Sequence, residues 1–159
     1  FERFSNSFKA LKTLDGDLDI FWSSKSEQAD LSNVLDALES IGGNLIFHTS
    51  ENVEMSSFLS NLKTIEKSLL IERTFLTVLT GFLNGLETIG ENLILRQNRF
   101  LIEIAESFTS LNLIKGNMQI SLNRSLVQSD VDAIYHSIQS IEGMVGICAE
   151  SQSDFNECH

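Results

Sequence analysis

The chain has 159 residues, 42% of them hydrophobic, and a formal net charge of -11, so it can close a core beneath a strongly acidic surface. Nucleic acids and anionic membranes are bound through basic patches, which excludes both as partners. No apolar run reaches the roughly 18–20 residues of a bilayer span, and the longest, from Phe75 to Leu83, is broken by Thr77, Thr80 and Gly81.

In chain order, one phrase returns six times. Leu11-Lys-Thr-Leu14-Asp-Gly16-Asp-Leu18-Asp-Ile20 is followed by Leu38-Glu-Ser-Ile41-Gly-Gly43-Asn-Leu45-Ile-Phe47. The phrase comes back at Leu62…Ile65…Leu69…Ile71 and Leu86…Ile89…Leu93…Leu95, then at Leu111…Ile114…Met118…Ile120 and Ile138…Ile141…Val145…Ile147. The anchors are 27, 24, 24, 25 and 27 residues apart. Repetition at this period marks a solenoid, in which each unit buries its apolar side by stacking on its neighbours. The expected fold is an α/β solenoid of about six repeats, with short parallel strands near 18–20, 45–47, 69–71, 93–95, 118–120 and 145–147. The Leu-x-x-Ile spacing reads as a tight turn leading into each strand, and Gly16, Gly43, Gly116 and Gly143 as turn positions needing positive φ.

A second register follows the strands. Ser23, Ser50, Thr74, Asn98, Asn123 and Glu150 repeat with the same spacing and can hydrogen-bond the backbone of the bend, as asparagine does in L-x-L-x-x-N. Between strands, Asp30 to Leu38 carries a helical apolar pattern. Ser129 reads as the cap of a second helix, with Val131, Ile134, Tyr135 and Ile138 on its apolar side. Phe8, Phe58, Phe82 and Phe108 precede the anchors by three or four residues and read as a core spine. Proline is absent and no Gly/Ser tract interrupts the chain, so residues 1–159 are expected to form one domain. The chain opens at Phe1 without Met, and a processed or truncated piece is expected, with any signal or anchor segment outside it.

The phrase L-x-x-I-x-G-x-L-x-I resembles the receptor L domain, the repeat unit of insulin- and EGF-type receptor ectodomains and of related surface glycoproteins. The resemblance runs from Leu11 to Ile147. It implies a right-handed β-helix with ligand or partner contacts on its sheet surface. Receptor-type members usually carry a disulfide near the start of the domain, and this chain has no cysteine there.

Both cysteines lie late, Cys148 directly after the last strand residue and Cys158 next to the end. A bridge between them would seal the open end of the solenoid as a cap over 148–159, and two free thiols are the alternative. Asn123-Arg124-Ser125 is the sole N-x-S/T sequon and a candidate glycosylation site, disfavoured if Asn123 serves its bend. His48, His136 and His159 share no metal-ligand spacing, and no catalytic motif or cofactor signature is present, so neither an enzyme nor a bound cofactor or metal is expected.

Alternation sends Asp19, Ile46, Leu70, Ile94, Gln119 and Gly146 outward from the strands. Ile46-Leu70-Ile94 forms an apolar stripe rimmed by His48, Glu72 and Arg96, the composition of a partner-binding patch. The competing reading is that these aliphatics only stabilise a parallel sheet. The leading expectation is an extracellular or cell-surface recognition module that binds a protein ligand or co-receptor, with a homodimer through the same face open. Membrane attachment would come only from segments outside this chain. An intracellular leucine-rich-repeat scaffold and a structural wall or matrix protein are the alternatives.

Overall fold

The computed structural model describes residues 8–22, 35–50, 58–79, 81–104 and 106–148. Each repeat supplies two strands, and both stack in parallel on those of the next repeat. The longer strands are β2 (Leu18–Trp22), β4 (Leu45–Thr49), β6 (Leu69–Glu72), β8 (Leu93–Arg96), β10 (Met118–Ser121) and β12 (Val145–Cys148). They form one six-stranded parallel sheet in sequence order. The short ones are β1 (Thr13–Leu14), β3 (Ser40–Ile41), β5 (Thr64–Ile65), β7 (Thr88–Ile89), β9 (Leu113–Ile114) and β11 (Ser140–Ile141), which form a second sheet. The chain is thus a parallel-strand β-solenoid of six rungs, separated by five turns of the coil.

The second sheet is where the sequence reading needs correction. Leu-x-x-Ile was read as a turn, yet its last two residues are a strand. Two residues are too few to show a period of their own, and only stacking reveals them. Their apolar members point inward: Ile41, Ile65, Ile89 and Ile114 are fully buried. The first five longer strands obey the expected alternation, with Leu45, Phe47, Leu69, Ile71, Leu93, Leu95 and Ile120 fully buried; in β12 Gly146, expected outward, is instead buried, since it has no side chain to project. Burying each such side chain contributes roughly 1.5–3 kcal/mol, and the inward columns of the two sheets share the core with the anchor leucines Leu38, Leu62, Leu86 and Leu111.

The phenylalanine spine is present at Phe58, Phe82 and Phe108. Phe47 meets Phe82 edge-on at 5.0 Å between ring centroids, and Phe58 stacks on Phe82 at 6.1 Å. Phe8, at the first rung, is instead exposed.

Helix is scarcer than expected. The single helix among the described residues is α1 (Gln128–Ser137), which packs on β12. It begins one residue before Ser129, with Val127 at the N-cap and no side-chain capping bond, so Ser129 is not the cap. Val131 and Ile134 are buried while Tyr135 faces outward. Of the expected helix at 30–38, residues 30–34 lie outside the described residues, and 35–37 form a turn.

The glycines also act differently from their expected role. Among the described glycines only Gly81 has positive φ. Gly116 and Gly143 are required by close approach: a Cβ on Gly143 would lie 2.5 Å from the Gly116 backbone, and one on Gly116 would lie 2.6 Å from the Glu91 carbonyl oxygen. In the fourth rung Gly90 meets the Glu66 carbonyl oxygen in the same way, and Glu91, which stands where the second and fifth rungs have Gly43 and Gly116, does not have positive φ. Left-handed backbone falls on the bend after the strands, at Arg73, Gln97 and Leu122 with φ of 54, 59 and 58°.

That bend is held by the second polar register. Asn98 Oδ1 accepts from the Thr74 amide and hydroxyl, both at 2.9 Å, and Asn98 Nδ2 donates to the Ile71 carbonyl at 2.8 Å. Asn123 Oδ1 accepts from the Asn98 amide at 3.0 Å, and its Nδ2 donates to the Leu95 carbonyl at 2.9 Å. Thr74, Asn98 and Asn123 are all buried. Ser50 makes a looser bond to the Trp22 carbonyl, and Ser23 and Glu150 lie outside the described residues. Replacing Asn98 with Ala strands the buried Thr74 amide and the Ile71 carbonyl, each worth about 1–3 kcal/mol when left unsatisfied. Asn98→Ala is therefore expected to lower the unfolding free energy in urea by about 2–4 kcal/mol, against less than about 0.5 kcal/mol for Ser121→Ala on the surface.

Candidate recognition surface

The outward face of the larger sheet is set by the pairing. Asp19, Ile46, Leu70, Ile94, Gln119 and Gly146 are successive partners across the six rungs. Ile46, Leu70 and Ile94 therefore stand one above another, ~4.8 Å apart, each half-buried by its neighbours and none closed into the core. Glu72 pairs in register with Arg96. The Arg96 Nη2 donates to Glu72 Oε2 at 3.3 Å, and Nε lies 2.6 Å from Glu72 Oε1, close but off the N–H axis. These two rim charges thus neutralise each other at one edge of the stripe. His48 is exposed and stands beside Phe21, which is 72% exposed.

The structure therefore brings all six expected contact residues onto adjacent rungs of one face. Two more belong with them. Phe21 extends the surface toward the first rung. Met144, 75% exposed, shares a small hollow of about 180 Å³ with Ile94 and Gln119. Met144 was legible only as a break in a polar column, because its predecessors are Asp17, Asn44, Ser68, Asn92 and Asn117.

That polar column borders the stripe and ties the rungs together. The Asn44 amide donates to Asp17 Oδ1 at 2.6 Å, the Ser68 amide to Asn44 Oδ1 at 3.1 Å, and the Asn92 amide to Ser68 Oγ at 3.2 Å. The Asn117 amide donates to Asn92 Oδ1 at 2.9 Å and the Met144 amide to Asn117 Oδ1 at 2.8 Å. The backbone bond from Asn44 holds the Asp17 carboxyl below its ordinary range. Lys12 and Glu39 pair at 2.8 Å on the far side of the first turn; that contact raises the Lys12 value and lowers that of Glu39.

The expected glycosylation site is not presented. Asn123 is fully buried and its Nδ2, the atom a glycan would occupy, already donates to Leu95. A glycan there would prevent the fifth rung from closing. Cys148 ends β12, and no free cysteine stands among the described residues; Cys158 lies outside them. Among the described residues no group of three His, Cys, Asp or Glu is placed to hold a metal ion, and no helix is long and apolar enough to cross a membrane.

Six stacked rungs with an apolar stripe on the outward face of the larger sheet make this a repeat protein of the solenoid class. Residues 12–81, which span the first three rungs, match the family described as receptor L domain. Rungs four to six continue the same pairing register beyond the matched residues. Comparison with curated proteins and with solved structures returns no match.

The lowered Asp17 value carries a pH dependence. A carboxyl whose folded value lies below its unfolded one, about 3.9, stabilises the fold fully above that pH and loses the contribution as pH falls toward the folded value. Asp17→Asn keeps an acceptor for the Asn44 amide and removes the titration. Melting temperature followed from pH 7 to pH 2 should therefore fall less steeply below about pH 4 in the variant than in the parent. Parallel acid limbs would mean that Asp17 contributes nothing.

Proposed function

We propose that the chain is an extracellular recognition module of a receptor or surface glycoprotein, and that it binds a protein partner through Ile46, Leu70 and Ile94. The observation that carries this reading is the in-register aliphatic column on a sheet face where water would ordinarily favour polar side chains. His48 and Phe21 flank it with groups that suit the rim of an interface, and aromatic anchors are enriched in such surfaces. Glu72 and Arg96 serve as a neutral border, which keeps a partner from having to strip water from an isolated charge. The family match supports a receptor-type ectodomain module that binds without catalysing a reaction.

Replacing Leu70 with Glu puts a charge at the centre of the stripe while leaving the core untouched. Folding should survive, and binding of the partner should weaken at least tenfold, about 1.4 kcal/mol, because loss of a central desolvated contact costs that much or more. A folded variant that retains all binding sinks the sheet-face assignment. Self-association through the same face would show as concentration-dependent sedimentation that Leu70→Glu abolishes, which would favour a homodimer or a matrix role.

The same reading includes a Cys148–Cys158 bridge that closes the last rung, supported by the absence of a free cysteine among the described residues. A loop this short should stabilise the fold by about 2–3 kcal/mol. Cys158→Ser is expected to lower the melting temperature and expose one titratable thiol; two reactive thiols in the native parent would remove the bridge and point to an intracellular scaffold.

A further inference from the structure

An acidic chain ought to spread its few cations among its many carboxylates. Five arginines are present, and three of them, Arg73, Arg99 and Arg124, line one hollow of about 370 Å³ at the bend after the third, fourth and fifth strands of the larger sheet. Each comes from a different rung, so the concentration is a product of the coil and not of a local basic run. Among the described residues no carboxylate forms an ion pair with any of the three, whereas Arg96, one rung position away, has Glu72.

The hollow is built firmly. Its rear is the buried ladder in which Asn98 joins Thr74 to Asn123, and its rim is the left-handed backbone at Arg73, Gln97 and Leu122. Arg73 Nε donates to Gln97 Oε1 at 2.7 Å, which fixes that side chain through one nitrogen of its fork. The Arg99 guanidinium lies over the rings of Phe75 and Phe100, 5.3 and 4.6 Å from their centroids. Stacking of this kind holds the fork flat without neutralising its charge. Phe75 and Leu122 supply apolar wall.

We infer that this hollow is a binding site for a small organic polyanion, one carrying two or three carboxylate, sulfate or phosphate groups on a compact apolar frame. Three guanidinium forks from three rungs match several oxyanions at separate points, and each fork can bond an oxyanion in two places. The volume falls in the range of small-molecule sites, roughly 300–1,000 Å³, and well above the need of a bare inorganic ion. The general field of a chain with charge -11 repels anions, so attraction here must be local. The site lies at the bend beyond the sheet strands, distinct from the aliphatic stripe, and does not depend on that stripe having a partner.

The same oxyanions could come from a free small acid or from the carboxylates of an acidic peptide, and the test separates the two. Titration calorimetry at low ionic strength would use citrate in one arm and a blocked Glu-Glu dipeptide in the other, with inorganic sulfate as the reference ion. Citrate is expected to bind at least tenfold more tightly than sulfate, and the double variant Arg99→Gln/Arg124→Gln should weaken it at least tenfold. Lys115→Gln, which removes one positive charge elsewhere on the surface, should leave binding unchanged. Tighter binding of the dipeptide than of citrate, with the same dependence on Arg99 and Arg124, keeps the site and assigns its anion to a peptide. The single variant Arg124→Gln, confirmed as folded by its circular dichroism, guards against loss through the Phe75–Phe100 stack and should itself weaken binding. No binding in either arm, equal binding of sulfate, or equal loss in Lys115→Gln overturns the inference.

Discussion

Everything in this molecule depends on one rung giving its backbone amide to a side chain of the adjacent rung. Two-residue strands cannot hold a solenoid together by their own ladders, and the turns between strands leave amides that a core cannot tolerate unpaired. The column from Asp17 to Asn117 takes up those amides on one side of the larger sheet. Buried Asn98 and Asn123 do so at the bend on the other, for the amides of Thr74 and Asn98. Between the two columns, the strands are pinned in a register that leaves Ile46, Leu70 and Ile94 no choice but to stack outward.

The larger sheet was legible in the sequence because its residues obey two periods together, alternation within a strand and 24–27 residues between strands. The asparagine register was legible for the same reason, and from it the difficulty of glycosylating Asn123. What stayed hidden has a common cause. The strands at Thr13–Leu14 and its counterparts are too short to carry a period, and the glycines beside them answer to the distance between rungs, which no single repeat encodes. Of the helical pattern from Asp30 to Leu38 only 35–38 are described, and there Leu35 and Leu38 turn inward at a corner of the coil, a spacing that a turn satisfies as well as a helix. The six residues of the sheet-face patch were found by alternation, but the pairing of Glu72 with Arg96 changed their meaning, from free charges to a neutral edge.

Charge is distributed with the same economy. Among the described residues the cations that form ion pairs do so across successive rungs: Lys12 with Glu39, Lys63 with Glu87, Arg96 with Glu72. Such exposed pairs contribute little each. Their effect is on the surface left over, in which a neutral apolar stripe and a hollow of three arginines stand out against an acidic background. The two features sit on one rigid coil, so their separation is fixed by the rung spacing and not by any linker.

The two amide columns run in opposite senses. In the column that begins at Asp17, the amide of each rung is accepted by the rung before it, whereas Thr74 and Asn98 give theirs to the rung after. The fourth rung therefore gives one amide to each neighbour and accepts one from each, through Asn92 and Asn98. Sliding it against either neighbour breaks a bond in both columns, so the coil resists shear in both directions along its axis.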